Sequence, residues 1–527
     1  MIELRSLIGR VVRILGSIID RIRKSIAAIY QPRSVDDIAV PDIPAPTEVS
    51  VMKRFVYVVS DLHLGPGDDA QTGQRDPLED FEGDAAFCAF LDHVGSGAAA
   101  VELVIAGDFL EYPQTLAELG LRSPADNLGT TEEESLERTR VILGQRPAIA
   151  SGHPEIFAAL RRFMVNGNSI TILAGNHDID MLWPRVWAEI FDTIYPPGAA
   201  GFLQRRHFSY LIGDDLGAAY IEHGHEHDAA NRFGDQMSQP FDYDALGVNR
   251  LKRCWGTLFV DKVYNELERE RWFIDNVKPI LRVVKLGLRN DFHFTTTAIG
   301  LVVRFLLSSG LPPTLGSGNV LGSAPDEAMA EGALPEAAKL KEAKPAAEEI
   351  VAAVQDSELR GYLETQMHDP ALRAELEQAL SGLNSAEWAT IEGGAAPQPS
   401  LDEAGAAPGG GEVLGGFFSG PAEDAYRAAA REVMQGDTRI ATVIMGHTHV
   451  PIDGQAEPPM DLGDLREGRF FNSGTWTPHL RDEGGYNYSW QEIGDEASYT
   501  TTYTYVLLAP DRSGAYRASL HSWAEQN

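Results

Sequence analysis

Cysteine is nearly absent: the 527-residue chain has two, Cys88 and Cys254. Two thiols cannot build a disulfide framework or a cysteine-rich zinc site. The usage fits a reducing, cytoplasmic compartment, and both are read as packing residues. Positive charge is also scarce. Lys and Arg number 44 against 77 Asp and Glu, a formal net charge of −33, which disfavours nucleic acid as a partner. An unbroken apolar run of the ~20 residues that a spanning helix needs is missing too. The strongly apolar stretch 295–307 is short and contains Arg304; it reads as a buried cap helix, with interfacial membrane contact as the alternative. Residues 1–33 lack the compact apolar core and cleavage site of a secretory signal, because Arg10, Arg13 and Arg21 interrupt the apolar runs.

What is present is a globular composition, 43% hydrophobic and 23% charged, long enough for more than one folded unit. Over 1–33, Leu4, Ile8, Val11, Leu15, Ile18, Ile22 and Ile29 recur at helical spacing, and the segment carries a net +5. Such a basic amphipathic helix either makes peripheral membrane contact or packs its apolar stripe on the body or a second subunit; both readings stand, and oligomeric state is not legible. Residues 34–53 are a Pro-rich linker. A long interruption follows position 231. Its first part, 232–313, is aromatic and basic and predicts a helical cap that offers a second route to membrane contact. The second, 314–438, is rich in Ala, Glu, Gly and Pro and is expected to be partly disordered, with helices over 326–353 and 358–380.

Five apolar runs share one shape. "RFVYVVSDLHLG", "AVELVIAGDFLEY", "SITILAGNHDID", "LGAAYIEHGHEHD" and "IATVIMGHTHVP" each end directly in a Gly-, Asp- or His-rich loop. Short apolar runs of this kind fit strands buried on both faces, and ligands in α/β sheets collect beyond the carboxyl ends of strands. Two hairpins are expected as well, turning at Asp214-Asp215 and around 511–514.

The loops supply carboxylate, imidazole and amide oxygen: Asp61 and His63, Asp108 and Glu111, Asn176 with His177 and Asp178, His223 and His225, His447 and His449. That mixture suits divalent Mn, Fe or Zn better than Ca, and there are enough groups for two ions sharing a carboxylate. The i, i+2 spacing in Asp61/His63 and His447/His449 lets both side chains reach one side of a turn. Glycines before Asp108, Asn176 and His447 are expected to permit the sharp turns. Glu111 either orients a ligand or caps a helix, and Asp178 reads as structural. Asp228, Asn231 and Arg232 are candidates to line the substrate side, with Arg232 gripping phosphate.

The set DxH, GDxxE, GNHD, HGH and GHTH resembles the calcineurin-like metallophosphoesterase superfamily over 54–231 and 439–522. The resemblance implies an α/β fold, a β-sandwich flanked by helices (αββα), with a mostly helical insertion. It implies a phosphohydrolase that cleaves a phosphomonoester, phosphodiester or pyrophosphate bond of a small phosphorylated substrate with a two-metal-activated hydroxide. By motif, Asp61, His63 and His449 would hold the first ion, Asp108 would bridge, and Asn176, His223 and His447 would hold the second. His177 would act beside the metals as the catalytic group that stabilises or protonates the phosphoryl transfer. Within "HGHEHD", His223 is then the ligand, His225 a neighbour and His227 a loop residue.

Departures narrow the branch. "GDFLEYP" and "GNHDID" differ from the GDxxDRG and GNHE of Ser/Thr protein phosphatases. The "GHTHVP" ending and "FNSGTW" (471–476) are similar to pyrophosphohydrolases of UDP-diacylglucosamine, which usually carry Arg at the position of His177. GNHD and GHxH are similar to class III cyclic nucleotide phosphodiesterases, which have Asp at the position of Glu111. A non-catalytic scaffold and a nuclease are the weaker alternatives, since every expected ligand position is filled and the chain is acidic.

Overall fold

The computed structural model describes residues 54–301 and 423–523, apart from 98, 117–127, 214–216, 229, 235–236, 238, 245–246, 275, 277–285, 288–289, 292–293, 296–297, 299–300, 464–465, 481–487 and 512–514. The expected helix 1–33, the linker 34–53, the helices within 326–380, and most of 295–307 and 314–438 lie outside them. The chain separates into two compact units, one of Arg33–Lys278 with Gly420–Asn527, the other of Met1–Pro32 with Pro279–Ser419. Of the latter only parts of 286–301 are described, mostly as helix. Among the described residues no helix is long and apolar enough to cross a membrane.

The larger unit is mixed α/β. Its first half contains β1 (Val56–Val59), β2 (Glu102–Ala106), β3 (Ser169–Leu173), β4 (Leu203–Arg206), β5 (Ser209–Ile212) and β6 (Ala218–Glu222). Then come the short pair β7 (Phe241–Tyr243) and β8 (Asn249–Leu251), β9 (Ile440–Met445), β10 (Met460–Gly463) and β11 (Arg466–Asn472). The last are β12 (His479–Leu480), β13 (Tyr499–Thr500), β14 (Thr504–Pro510) and β15 (Tyr516–Ser522). All five apolar runs are therefore strands: β1, β2, β3, β6 and β9. Both expected hairpins form, β5 with β6 and β14 with β15, each antiparallel.

One sheet runs β15-β14-β1-β2-β3-β4 and the other β10-β11-β9-β6-β5. Strands β1 to β4 are parallel, as are β6, β9 and β11. Alternation of side chains across each strand decides what lies on either face. In β2, Val104 and Ala106 join Val56, Val58, Ala219, Ile221, Ile444 and Phe471 in a core between the sheets. Leu103 and Ile105 face the other way, into a core with Phe87, Phe90, Ile156 and Leu160.

Those partners come from α1 (Asp84–Gly95) and α3 (Pro154–Val165), which flank α2 (Glu132–Ile142) in sequence and precede α4 (Pro184–Ile194). Helix starts are marked locally: Thr131 and Glu134 form a capping box on α2, and proline opens α3 and α4. The other sheet's outer face is covered by Tyr426, Ala430 and Met434, packed on Val443, Met445 and Phe470. The layers are thus helices, sheet, sheet, helix.

The segment 232–278, expected to begin a helical cap, opens instead with the β7–β8 hairpin and only then becomes helical. Helix α5 (Trp255–Phe259) runs through a π-helical turn (Val260–Tyr264) into α6 (Asn265–Glu268). It is held to the body by the buried Arg253–Asp180 ion pair at 2.8 Å. The remaining helices are α7 (Glu423–Gly436) and α8 (Trp490–Ile493). Cys254 does more than pack, because its sulfur accepts from the Thr257 N–H at the start of α5.

A buried histidine clamps α1 to α3. His153, just before α3, bonds Asp84 at 2.9 Å and Glu79 at 3.2 Å. Burial alone would drive its proton off, but the Glu79 and Asp84 carboxylates reverse this and lift it to about 10. A folded-state pKa above the unfolded ~6.5 makes the clamp's stability complete below ~6.5 and loses it as pH climbs toward 10. His153→Gln should therefore lower Tm most at pH 6, and the gap to wild type should close by pH 10 in thermal melts.

Candidate metal centre

The five expected motif loops meet at the carboxyl ends of β1, β2, β3, β6 and β9. Beyond β1 and β2 the parallel pairing persists: Asp61 N–H donates to Gly107 O at 3.1 Å and His63 N–H to Asp108 O at 3.0 Å. Gly446 N–H donates to His223 O at 2.9 Å and joins the β6 and β9 loops. Seven non-glycine residues among those described have left-handed backbone. Five are Asp61 (φ 53°), His63 (50°), Asp108 (48°), His447 (66°) and His449 (61°). Such strain persists only where its surroundings over-determine it, and it clusters at functional sites.

This corrects the reason expected for two of the glycines. Gly175 and Gly446 do not take positive φ; at His447 the ligand itself does. They are glycines because a Cβ at 175 would strike the Asp108 carboxylate and one at 446 would strike Ser60 and Asp61. Gly107 meets both demands, with φ 91° and His223 against its missing Cβ.

Asp61, His63 and His449 form one group that can hold a metal, and Asp108, His223 and His447 form a second. A third overlapping group is His63, Asp108 and His177. His449 Nε2 lies 3.4 Å from Asp61 Oδ1 and 3.2 Å from His63 Nε2. Asp108 Oδ2 lies 3.8 Å from His63 Nε2 and 3.1 Å from His223 Nε2, so it stands between the two groups. Asn176 Oδ1 is 3.2 Å from His223 Nε2. The seven expected ligands thus lie close together, with the Asp108 carboxylate between the two groups.

The donor atoms fit divalent cations. His223 donates through Nδ1–H to Ala106 O at 2.9 Å, which leaves the Nε2 lone pair facing a carboxylate and an amide oxygen. His63 donates through Nδ1–H to Glu111 at 2.7 Å, so its Nε2 lone pair faces His449. Donor atoms this close, in a site where Asp61 and Asp108 are 0% and 1% exposed, could hold a cation between them. Electrostatics agree. Burial would raise both carboxylates, yet His223 and His449 hold Asp61 at about 2, and His223 and His177 hold Asp108 well below its ordinary range. Against burial, Asp108 and Asp61 push His223 up to about 10. The site favours positive charge, which a metal ion would supply by displacing protons.

An outer layer aims these groups. Glu111 orients ligands and does not cap a helix: Oε2 accepts from His63 Nδ1 at 2.7 Å and from His177 Nδ1 at 2.6 Å. Asp178 ties two loops together, accepting from Phe109 N–H at 2.8 Å and Gly175 N–H at 2.6 Å. The Asp108 and Asp61 carboxylates accept from the backbone N–H of His177 and His447. The 471–476 segment supplies a latch that motif reading left without a role. Asn472 holds Gly446 O and Thr448, Thr475 and Trp476 hold Asp61 O, and Ser473 bonds Ser60, which in turn bonds Asp61. Its sequence signal is the polar Asn-Ser-Gly-Thr run within "FNSGTW", at the end of β11.

His225 is buried with its ring 5.3 Å from that of His223, a neighbour as expected. His227 turns away to Glu222 at 2.6 Å. Arg232 lies beside Glu226, and Asp228 and Asn231 turn toward the ligands. The chain matches no family model and no curated protein sequence.

Because one Glu111 oxygen holds both histidines, Glu111→Gln must present a donor or a weaker acceptor to one of them. Manganese affinity at the Asp61/His63/His449 group should fall about 10–100-fold, measured by titration of the metal-free protein, with circular dichroism unchanged.

Proposed function

We propose that the chain is a dinuclear metal-dependent phosphohydrolase of the calcineurin-like metallophosphoesterase kind, acting on a phosphomonoester, phosphodiester or pyrophosphate bond. The observation that carries this reading is the pair of candidate ligand groups with Asp108 standing between them. The helix–sheet–sheet–helix layering and the strand-end position of every motif support it. Two divalent ions, one with Asp61, His63 and His449 and one with Asn176, His223 and His447, would polarise the phosphoryl oxygens and make water a nucleophile near neutral pH.

The chain's own residues do the rest. Asp108 Oδ1 accepts the His177 N–H at 2.9 Å, and Oδ2, which faces His63 and His223, would be the oxygen offered to the ions. Glu111 takes the His177 Nδ1 proton at 2.6 Å, so Nε2 is the nitrogen free to exchange a proton with substrate. Burial opposes the imidazolium, but Glu111 and Asp108 raise His177 to about 9. A charged His177 opposes negative charge on the phosphoryl group and can protonate the departing oxygen.

Hydrolysis of p-nitrophenyl phosphate, bis-p-nitrophenyl phosphate and a panel of UDP-sugars, nucleotides and phospholipid head groups with Mn tests the reading. Asp108→Ala should lose more than about 100-fold, beyond the loss from an outer partner. Wild type no more active than that variant on every substrate would overturn it. His177→Asn should slow esters of alkyl alcohols by about 10²–10⁴-fold. It should slow p-nitrophenyl esters much less, because p-nitrophenolate leaves without a proton.

A further inference from the structure

Asp228 lies just past the three histidines of 223–227, and its carboxylate has three partners. Oδ1 accepts the Ala230 N–H at 2.9 Å. Oδ2 accepts from Asn231 Nδ2 at 2.7 Å and lies 3.2 Å from His447 Nε2. An ionised carboxylate can only accept, which fixes the orientation of everything bonded to it.

The first consequence falls on His447. Its Nε2 carries the proton given to Asp228, so its lone pair is on Nδ1. The second runs through Asn231. With its NH₂ committed to Asp228, Asn231 turns Oδ1 the other way, where it accepts from Asn176 Nδ2 at 3.2 Å. Asn176 therefore presents its NH₂ to Asn231 and its carbonyl oxygen to His223 Nε2. One carboxylate thus fixes the His447 tautomer and, through Asn231, the amide orientation of Asn176.

Residues well along the chain hold this relay in place. A Cβ at Gly256 would strike Asn231 Oδ1, so a glycine is needed for α5 to begin against that side chain. Thr257 Oγ1 donates to Asn176 O at 3.1 Å. The insertion's first helix therefore closes over the site from outside the motif set.

We propose that Asp228 and Asn231 are positioning residues for the Asn176/His223/His447 metal position, setting its affinity through the His447 tautomer and the Asn176 amide orientation. This rests on the two-metal reading above. The test is titration of the metal-free full chain with Mn(II), following free ion by its electron paramagnetic resonance signal, with Tm and circular dichroism measured alongside. Wild type should bind two equivalents. Asp228→Asn should weaken one site by about 10–100-fold and leave the other and the Tm of the metal-free chain unchanged. Asn231→Ala, which frees Asn176, should weaken the same site and decides the matter if Asp228→Asn does not fold. Two sites of wild-type affinity in a folded variant would overturn the relay alone. A wild type that binds no manganese would overturn the two-metal reading and this proposal with it.

Discussion

At the carboxyl ends of five strands, imidazoles and carboxylates crowd together. The nitrogens of His63 and His449 stand 3.2 Å apart, and an oxygen of Asp108 lies 3.1 Å from His223 Nε2. An isolated pair of such groups would separate or take up water. Here they cannot, because Asp61, His63, Asp108 and His223 are buried and every group sits in a loop directly past a strand of one of two facing sheets. Five of the crowded residues also hold left-handed backbone, a conformation costing of order 1–3 kcal/mol each. The sandwich supplies the rigidity that keeps them there, and the crowded groups could hold a metal ion.

The outer layer shows the same logic at one remove. Several of the candidate ligands are aimed by residues outside their own loops. Glu111 aims His63 and His177 together, Ala106 O fixes the His223 tautomer, and the 471–476 latch holds the Asp61 and His447 loops from below. Partners of this kind fix ring orientation and ligand basicity. They also link the site to the fold, since the latch is the end of β11 and Asp178 joins the loops after β2 and β3.

Most of this was legible where a residue's role depends on its immediate neighbours. The strand runs showed as β-branched segments, the Asp, Asn and His residues past them showed as candidate ligands, and the family resemblance selected seven of these. What was not legible depends on pairings distant in sequence. Glu111 had two readings until His63, 48 positions away, and His177, 66 positions away, were seen on one of its oxygens. Gly175 and Gly446 looked like turn residues, and only the neighbouring carboxylate and serine explain them. The β7–β8 hairpin was missed because its strands are three residues each, too short for alternation to register in a segment rich in aromatics.

The central claim is that two ions sit on either side of Asp108. Anomalous diffraction from crystals of the full chain grown with manganese tests it most directly. The account predicts two manganese peaks, one within reach of Asp61, His63 and His449 and the other of Asn176, His223 and His447, with Asp108 touching both. A single peak, or peaks only at other acidic clusters, would contradict it.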